Sequence, residues 1–324
     1  MRETEPSDPI AAVTHPNPYP YYQRLAAERP FERDERLGVW VAASAEAINA
    51  VLTSEICRVR PTAEPVPNAL LGSSAGEIFR QLVRMNDGPV HHTLKRKVEA
   101  LLGSMDASGP SREWARRLPP DPAVIAFRLP AYVIGSLLGI DDLPRLADLV
   151  SNFAPALAPG STSEQVERGR EAAGHLLEMF PGEDAANRIG FLFQAHDSTA
   201  GLIGNTLLAL AHEPGDVHET LLKVLRTDPP VQNTRRFVAE DGVILGRGLK
   251  AGDVVLVLLA ATPFGTGRHA CPGDQLALTI AQAGIEALLD AGIDLQRLTR
   301  NVSYRPSANT RIPILNQSVE SRSA

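Results

Sequence analysis

The stretch Phe264-Gly265-Thr266-Gly267-Arg268-His269-Ala270-Cys271-Pro272-Gly273 decides the fold. Its glycines reach backbone conformations closed to other residues, so it reads as a tight loop. A helix is expected directly after it, from about Pro272 to Ala291. A thiol there faces the positive end of the helix dipole, which favours the thiolate, the form that ligates metal. Glycine N–H groups beside it can hydrogen-bond the sulfur and set its donor strength. A lone cysteine, Cys57 or Cys271, otherwise reads as a small buried residue without chemistry.

Outward from this loop the pattern changes twice. Upstream, after Pro229-Pro230, the period is two: Arg236 to Ala239, Val243 to Leu245 and Val254 to Leu258 read as strands divided by Gly-containing turns. Farther upstream the chain is mostly helical, with helices expected over 123–138, 142–157, 163–180 and 187–212. The last of these is the longest apolar segment, and the polar group Gln194-Ala195-His196-Asp197-Ser198-Thr199 interrupts it. Near the N-terminus, 17–30 reads as a Pro-punctuated entry to a helix and Val39-Trp40-Val41 as a strand; Ala45 to Leu52 and Ala75 to Val83 are helical. Asp87-Gly88-Pro89 supplies a turn before a helix over His91 to Leu102, and 103–111, rich in Gly, Ser and Pro, reads as a loop.

Composition excludes several classes. The chain has 324 residues, 44% hydrophobic and 22% charged, with 26 Pro and 25 Gly spread along it, so it is neither disordered nor fibrous. The net charge of −6, without a basic block, argues against nucleic acid. The longest apolar run, Val254 to Ala261, is too short to cross a bilayer, and the N-terminus lacks the order of a secretory signal, so a cytoplasmic protein without membrane contact is expected. Two cysteines give no disulfide framework and no Cys-x-x-Cys metal knuckle. No repeat or linker divides the chain, and one domain over 1–324 is expected.

The loop resembles the haem-binding loop of the cytochrome P-450 family, Phe-Gly-x-Gly-x-His-x-Cys-x-Gly, at every fixed position: Phe264, Gly265, Gly267, His269, Cys271 and Gly273. A chance match is on the order of one in a hundred thousand for a chain of this length. The resemblance implies a mainly α fold with a small β region, in reduced form. It implies haem b as cofactor, Cys271 as the thiolate ligand of its iron, which pushes electron density toward O–O cleavage, and His269 on a propionate. It continues in order along the chain. Asp87 to Arg96 resembles the opening of the family's C helix, which makes His91 and Lys95 propionate contacts; Lys stands where Arg is usual, and a lysine is a point charge where arginine is a bidentate fork. Arg236 corresponds to a third such contact. The polar group in 187–212 lies where the family's I helix crosses the distal side of the haem. There an acid followed by a hydroxyl residue delivers protons, and these positions are Asp197 and Ser198. A helix kink made by a back-bonding hydroxyl is the structural alternative.

Two departures stand out. The K-helix Glu-x-x-Arg is Lys223-Val224-Leu225-Arg226, without the acid, and Glu219 is the nearest offset for Lys223. The long meander before the haem loop is missing, because Ala261-Thr262-Pro263 joins strand to loop directly. The function implied is oxidation of a small apolar molecule with dioxygen, using electrons from a ferredoxin and its reductase, as in secondary metabolism. Two alternatives follow from the missing segment: a peroxide-driven or redox-neutral haem enzyme (dehydratase or isomerase), and a non-catalytic scaffold that recruits another protein. Cys57, His175, His212 and His218 read as structural or surface residues.

Overall fold

The computed structural model describes residues 5–300 and 302–315; the two ends and Asn301 of the domain expected over 1–324 lie outside the described residues. The first half contains α1 (Tyr19–Glu28), β1 (Phe31–Asp34), β2 (Val39–Ala42), α2 (Ala45–Thr53), β3 (Cys57–Arg58), α3 (Ser74–Gln81), α4 (Gly88–Gly103), α5 (Ser108–Arg117) and α6 (Pro122–Leu137). Then follow α7 (Leu143–Ala156), α8 (Ser163–Met179), α9 (Ala185–His212), α10 (Val217–Thr227), β4 (Asn233–Val238), β5 (Gly242–Ile244), β6 (Arg247–Leu249), β7 (Val254–Leu258), α11 (Asp274–Asp290) and α12 (Leu295–Leu298).

Side-chain caps start most helices. Ser44, Ser73, Asp121, Asp142 and Asp216 each accept a backbone N–H in the first turn, and Thr162 with Gln165 forms a capping box. The largest apolar cluster joins α3, α5 to α11 and the C-terminal segment, and α9 runs through its middle. Helices α6, α9 and α11 meet so closely at Gly284 that a Cβ there would lie 2.8 Å from Ile125 and 2.9 Å from Leu129.

The five-stranded sheet has the order β1-β2-β7-β4-β3. Its one parallel pair is β2 with β7, so nearly the whole helical body is inserted between two neighbouring strands. Three differences from the sequence expectation are found, two with a physical cause. β1 (Phe-Glu-Arg-Asp) is an edge strand, where charge is tolerated and protects the edge. The loop expected over 103–111 gives way to α5 at Ser108, since Pro110 sits in the first turn, where no N–H is required of it. β4 begins at Asn233, three residues before the expected Arg236.

The N- and C-terminal parts are tied by one buried cation. Arg311, 2% exposed, donates to Asp228 Oδ1 (2.9 Å) and to the carbonyls of Val13, His15 and Pro16, and lies over the Tyr304 ring. Tyr19 shares the same Asp228 carboxylate. Removing one member of a buried pair leaves its partner uncompensated. Arg311→Met is therefore expected to lower stability by about 3 kcal/mol, read as a fall in the urea midpoint; a change within about 0.5 kcal/mol would contradict this role for Arg311.

Candidate functional site

The loop 259–273 leaves β7 through two successive turns, with Thr262 N–H donating to Leu259 O and Gly265 N–H to Thr262 O. Phe264 (φ +64°), Gly265 (φ +70°) and Gly267 (φ +70°) lie in the left-handed region. That conformation is strained for phenylalanine and open to glycine. It curls the chain so that Cys271 N–H donates to Phe264 O at 2.9 Å. The Cys271 thiol accepts from the Gly273 N–H, and the residue keeps exposed surface. Burial of the sulfur among surrounding protein pushes the thiol up from its ordinary value, with Asp274 acting in the same sense and the Gly273 N–H and Lys95 against it. The helix end at Gly273 does not by itself produce a thiolate, contrary to the expectation from position alone.

Beside this loop lies a dense group of cations. His269 and His91 rings are 4.2 Å apart, and His269 Nε2 is 3.0 Å from Asp87 Oδ1. Arg268 Nε is 3.9 Å from the same oxygen, its Nη2 donates to Ser54 O and Cys57 O, and Lys95 Nζ donates to Arg268 O at 2.7 Å. Arg236 is 7% exposed and donates to Arg235 O and Thr234 Oγ1, with no carboxylate in contact among the described residues. Burial brings its guanidinium down to about 10, and the charges of Arg268 and Arg84 add to that while Asp87 opposes it. Of the cations here, Arg236 and Arg268 feel Asp87, Lys95 lies 3.8 Å from the half-exposed Glu99, and Arg84 adds a further positive charge beside Arg236. His91 Nδ1 and Arg268 Nε are buried without a hydrogen-bond partner. Arg96, the neighbour of Lys95, is exposed.

Asp87 holds this group to the fold. It stands at the N-cap of α4 yet makes no cap there; Oδ2 accepts from Val59 N–H and Oδ1 faces His269. Although burial raises it, those bonds and Arg268 hold its carboxyl below the ordinary carboxylate range. Sequence reasoning reads Asp87 only as a turn residue.

Helix α9 is buried along most of its 28 residues, but Phe191, Gln194, Ala195 and Ser198 keep partial exposure at helical spacing. α11, which the cysteine loop opens, packs against α9. Ser198 Oγ donates to Gln194 O at 2.7 Å, so its proton is spent on the helix, the back-bonding arrangement, and its lone pairs remain as acceptors. Asp197 Oδ1 is 2.9 Å from His196 Nδ1, and Thr199 Oγ1 is buried without a partner.

The chain is 31% identical over 284 residues to Protein DesVIII of Streptomyces venezuelae, covering 79% of this chain and 68% of that protein. It is 27% identical over 361 positions to Cytochrome P450 monooxygenase PikC of the same organism, covering 86% and 85%. The chain belongs to the cytochrome P450 family. No protein-family profile matches it. Among solved structures, P450BioI in complex with a hexadec-9Z-enoic acid ligated acyl carrier protein superposes with a TM-score of 0.74 at 22% identity, over 92% of this chain and 96% of that one. The fold is thus mainly α with a small β region, as expected, and the enzyme class is a P450-type oxidoreductase, whose cofactor is haem iron. In the PikC alignment 361 positions are spanned by part of a 324-residue chain, so this P450 differs from that relative by internal gaps.

The residues fit a haem. Two buried orphan atoms, a buried arginine without an anion and an excess of cations are what two propionates would complete. In α10, Lys223 pairs with Glu213 at 2.5 Å and not with Glu219, and Arg226 is exposed with no ion pair among the described residues. The Glu-x-x-Arg arrangement is therefore replaced by a surface pair. Arg84, Arg268 and Asp87 escaped sequence reasoning, since only the folded chain brings residues 84–95, 236 and 268–271 together.

Burial, with the nearby charges of His269 and Lys95, brings His91 down to about 4 from an ordinary 6.5. Between these values the unfolded chain binds a proton that the folded one refuses, so stability is retained above about pH 6.5 and lost as pH falls toward 4. The haem-free protein is expected to show this loss in urea midpoints, and His91→Gln to flatten it. An unchanged slope in the variant would assign the effect elsewhere.

Proposed function

We propose that this chain is one haem b domain over 1–324 that inserts an oxygen atom from dioxygen into a small apolar molecule, with electrons from a ferredoxin and its reductase. The observation that carries the reading is the convergence of the Cys271 loop with the unbalanced cations Arg84, Lys95, Arg236 and Arg268. Haem bound through a thiolate supplies the activation of dioxygen. The protein's part is to hold, orient and protonate.

Phe264, Gly265 and Gly267 bend the loop, and the Gly273 N–H hydrogen-bonds the Cys271 sulfur, which lowers its donor strength and favours the thiolate. Iron would displace the thiol proton that burial otherwise retains. Arg236, Lys95, His91 and His269 would hold the propionates, and Arg268 would join them through its Nε, which makes no hydrogen bond among the described residues. On the other side, Asp197 is the proton donor of the cleft. Burial raises its carboxyl, but the His196 hydrogen bond and the charges of His196 and Arg305 leave it below the ordinary range. It is therefore ionised at rest and must be reprotonated in each cycle. Ser198, its hydroxyl directed to Gln194 O, accepts a hydrogen bond from the incoming donor or water.

The exposed surface of Cys271 favours one alternative, a peroxide-driven enzyme that needs no docking surface built by the missing meander. The two readings separate on turnover of a panel of apolar compounds. Product with a surrogate ferredoxin, its reductase and NADPH but none with hydrogen peroxide supports the first; the reverse supports the second. Asp197→Asn is expected to lower product per NADPH about tenfold or more at unchanged haem content; full coupling in that variant would refute the proton-donor role.

A further inference from the structure

One cation of the group beside the cysteine loop has no anion among the described residues. Asp87 acts on Arg236 and Arg268, and Glu99 lies by Lys95, whereas no described carboxylate acts on Arg84 and its guanidinium donates no hydrogen bond to a described residue. Burial lowers that guanidinium from its ordinary value although the residue keeps exposed surface, so it is surrounded by protein and still borders open space. It remains charged there. The backbone that carries it is clamped on both sides. Val83 N–H donates to Asn187 Oδ1 on α9 (2.8 Å), the Asn86 side chain donates to the carbonyls of Arg80 and Leu82 and accepts from Arg60, and Asp87 holds Val59 and His269. The Arg84 guanidinium lies over the Phe193 ring of α9, 5.7 Å from its centroid, and that ring meets Phe153 of α7 edge-on at 5.6 Å. A Cβ on Gly190 would lie 3.1 Å from Leu82 and 3.3 Å from Gln194 Nε2, so this segment crosses α9 where the partly exposed strip of Gln194 and Ser198 begins.

We infer that Arg84 binds a carboxylate on the substrate, so that the small molecule oxidised by this protein is an apolar acid. The inference rests on the reading of the cleft as a haem monooxygenase site and narrows its substrate class. A guanidinium held over an aromatic ring keeps its edge N–H groups free, and that edge fits a carboxylate with two parallel hydrogen bonds. Phe193 and the clamped backbone place the side chain before a ligand arrives, so binding has less ordering left to impose. The carboxylate of the cleft itself does not compete, since Asp197 is engaged by His196 and by the charge of Arg305. An amide of the same skeleton brings no charge and leaves the enclosed cation unmatched. A further propionate contact is the rival role, because the charge of Arg84 acts on Arg236. The two roles differ in consequence: loss of a propionate contact weakens haem retention, and loss of a substrate contact changes which substrates bind.

The probes are phenyl-terminated alkanoic acids from phenylacetate to phenylhexanoate, each beside its primary amide. They are added to the haem-loaded ferric protein near neutral pH, where the acids are ionised, and binding is read by displacement of the Soret band and by calorimetry. At least one acid is expected to bind roughly tenfold or more tightly than its amide. Arg84→Met is expected to abolish that preference while haem retention, read as the rate of haem transfer to apomyoglobin, stays near the parent value. Arg84→Lys is expected to keep part of the preference, as a point charge without the fork. Arg236→Met serves as the reference that loses haem faster. A preference that survives in Arg84→Met overturns the inference, and haem loss there as fast as in Arg236→Met then assigns Arg84 to the propionates. A parent protein with a thiolate-type carbon monoxide spectrum in which no acid outbinds its amide overturns the inference alone. Absence of that spectrum in the parent protein overturns the proposed function on which the inference rests.

Discussion

Buried positive charge without matching negative charge is the constraint on which the rest of this structure depends. A guanidinium as enclosed as Arg236 is costly to desolvate, and the carboxylate that reaches the group from inside, Asp87, is already shared by His269 and Arg268. Such a cluster is retained where a ligand completes it. Two propionates would supply what is missing and would give partners to the buried His91 and Arg268 nitrogens.

The fold serves that cluster by joining distant segments at short range. The parallel pair of β2 and β7 brings the start and the end of the chain into one sheet, and β7 delivers the cysteine loop with only two turns between. Asp87 gives up the capping of α4 to hold Val59 and His269, so a helix start, the approach to the sheet and the loop are one unit. On the same side Cys271 keeps exposed surface, and Lys223 of α10 is bonded outward to Glu213.

The loop and α9 were legible in sequence because both are local: a fixed spacing of glycines around one cysteine, and 26 residues of apolar character with a polar interruption, observed as the 28-residue α9. Asp87 was not, because an Asp before Gly-Pro signals a turn and nothing local says that its carboxylate is used 182 residues away. Arg84 was not, since its place over Phe193 exists only through the packing of the segment before α4 on α9. The raised thiol of Cys271 shows the same limit, for helix polarity is written in the sequence and burial is not. α5 was hidden by a composition of Ser, Gly and Pro that suits a loop and a first helical turn equally.

The central claim is that Cys271, despite its exposed surface, ligates haem iron as a thiolate. The most direct measurement is the absorption spectrum of the purified, haem-loaded protein reduced with dithionite, with and without carbon monoxide, beside Cys271→Ala. The account predicts a strongly red-shifted Soret band in the parent protein and its loss in the variant. A protein that takes up no haem, or an unshifted band shared by both, would contradict it.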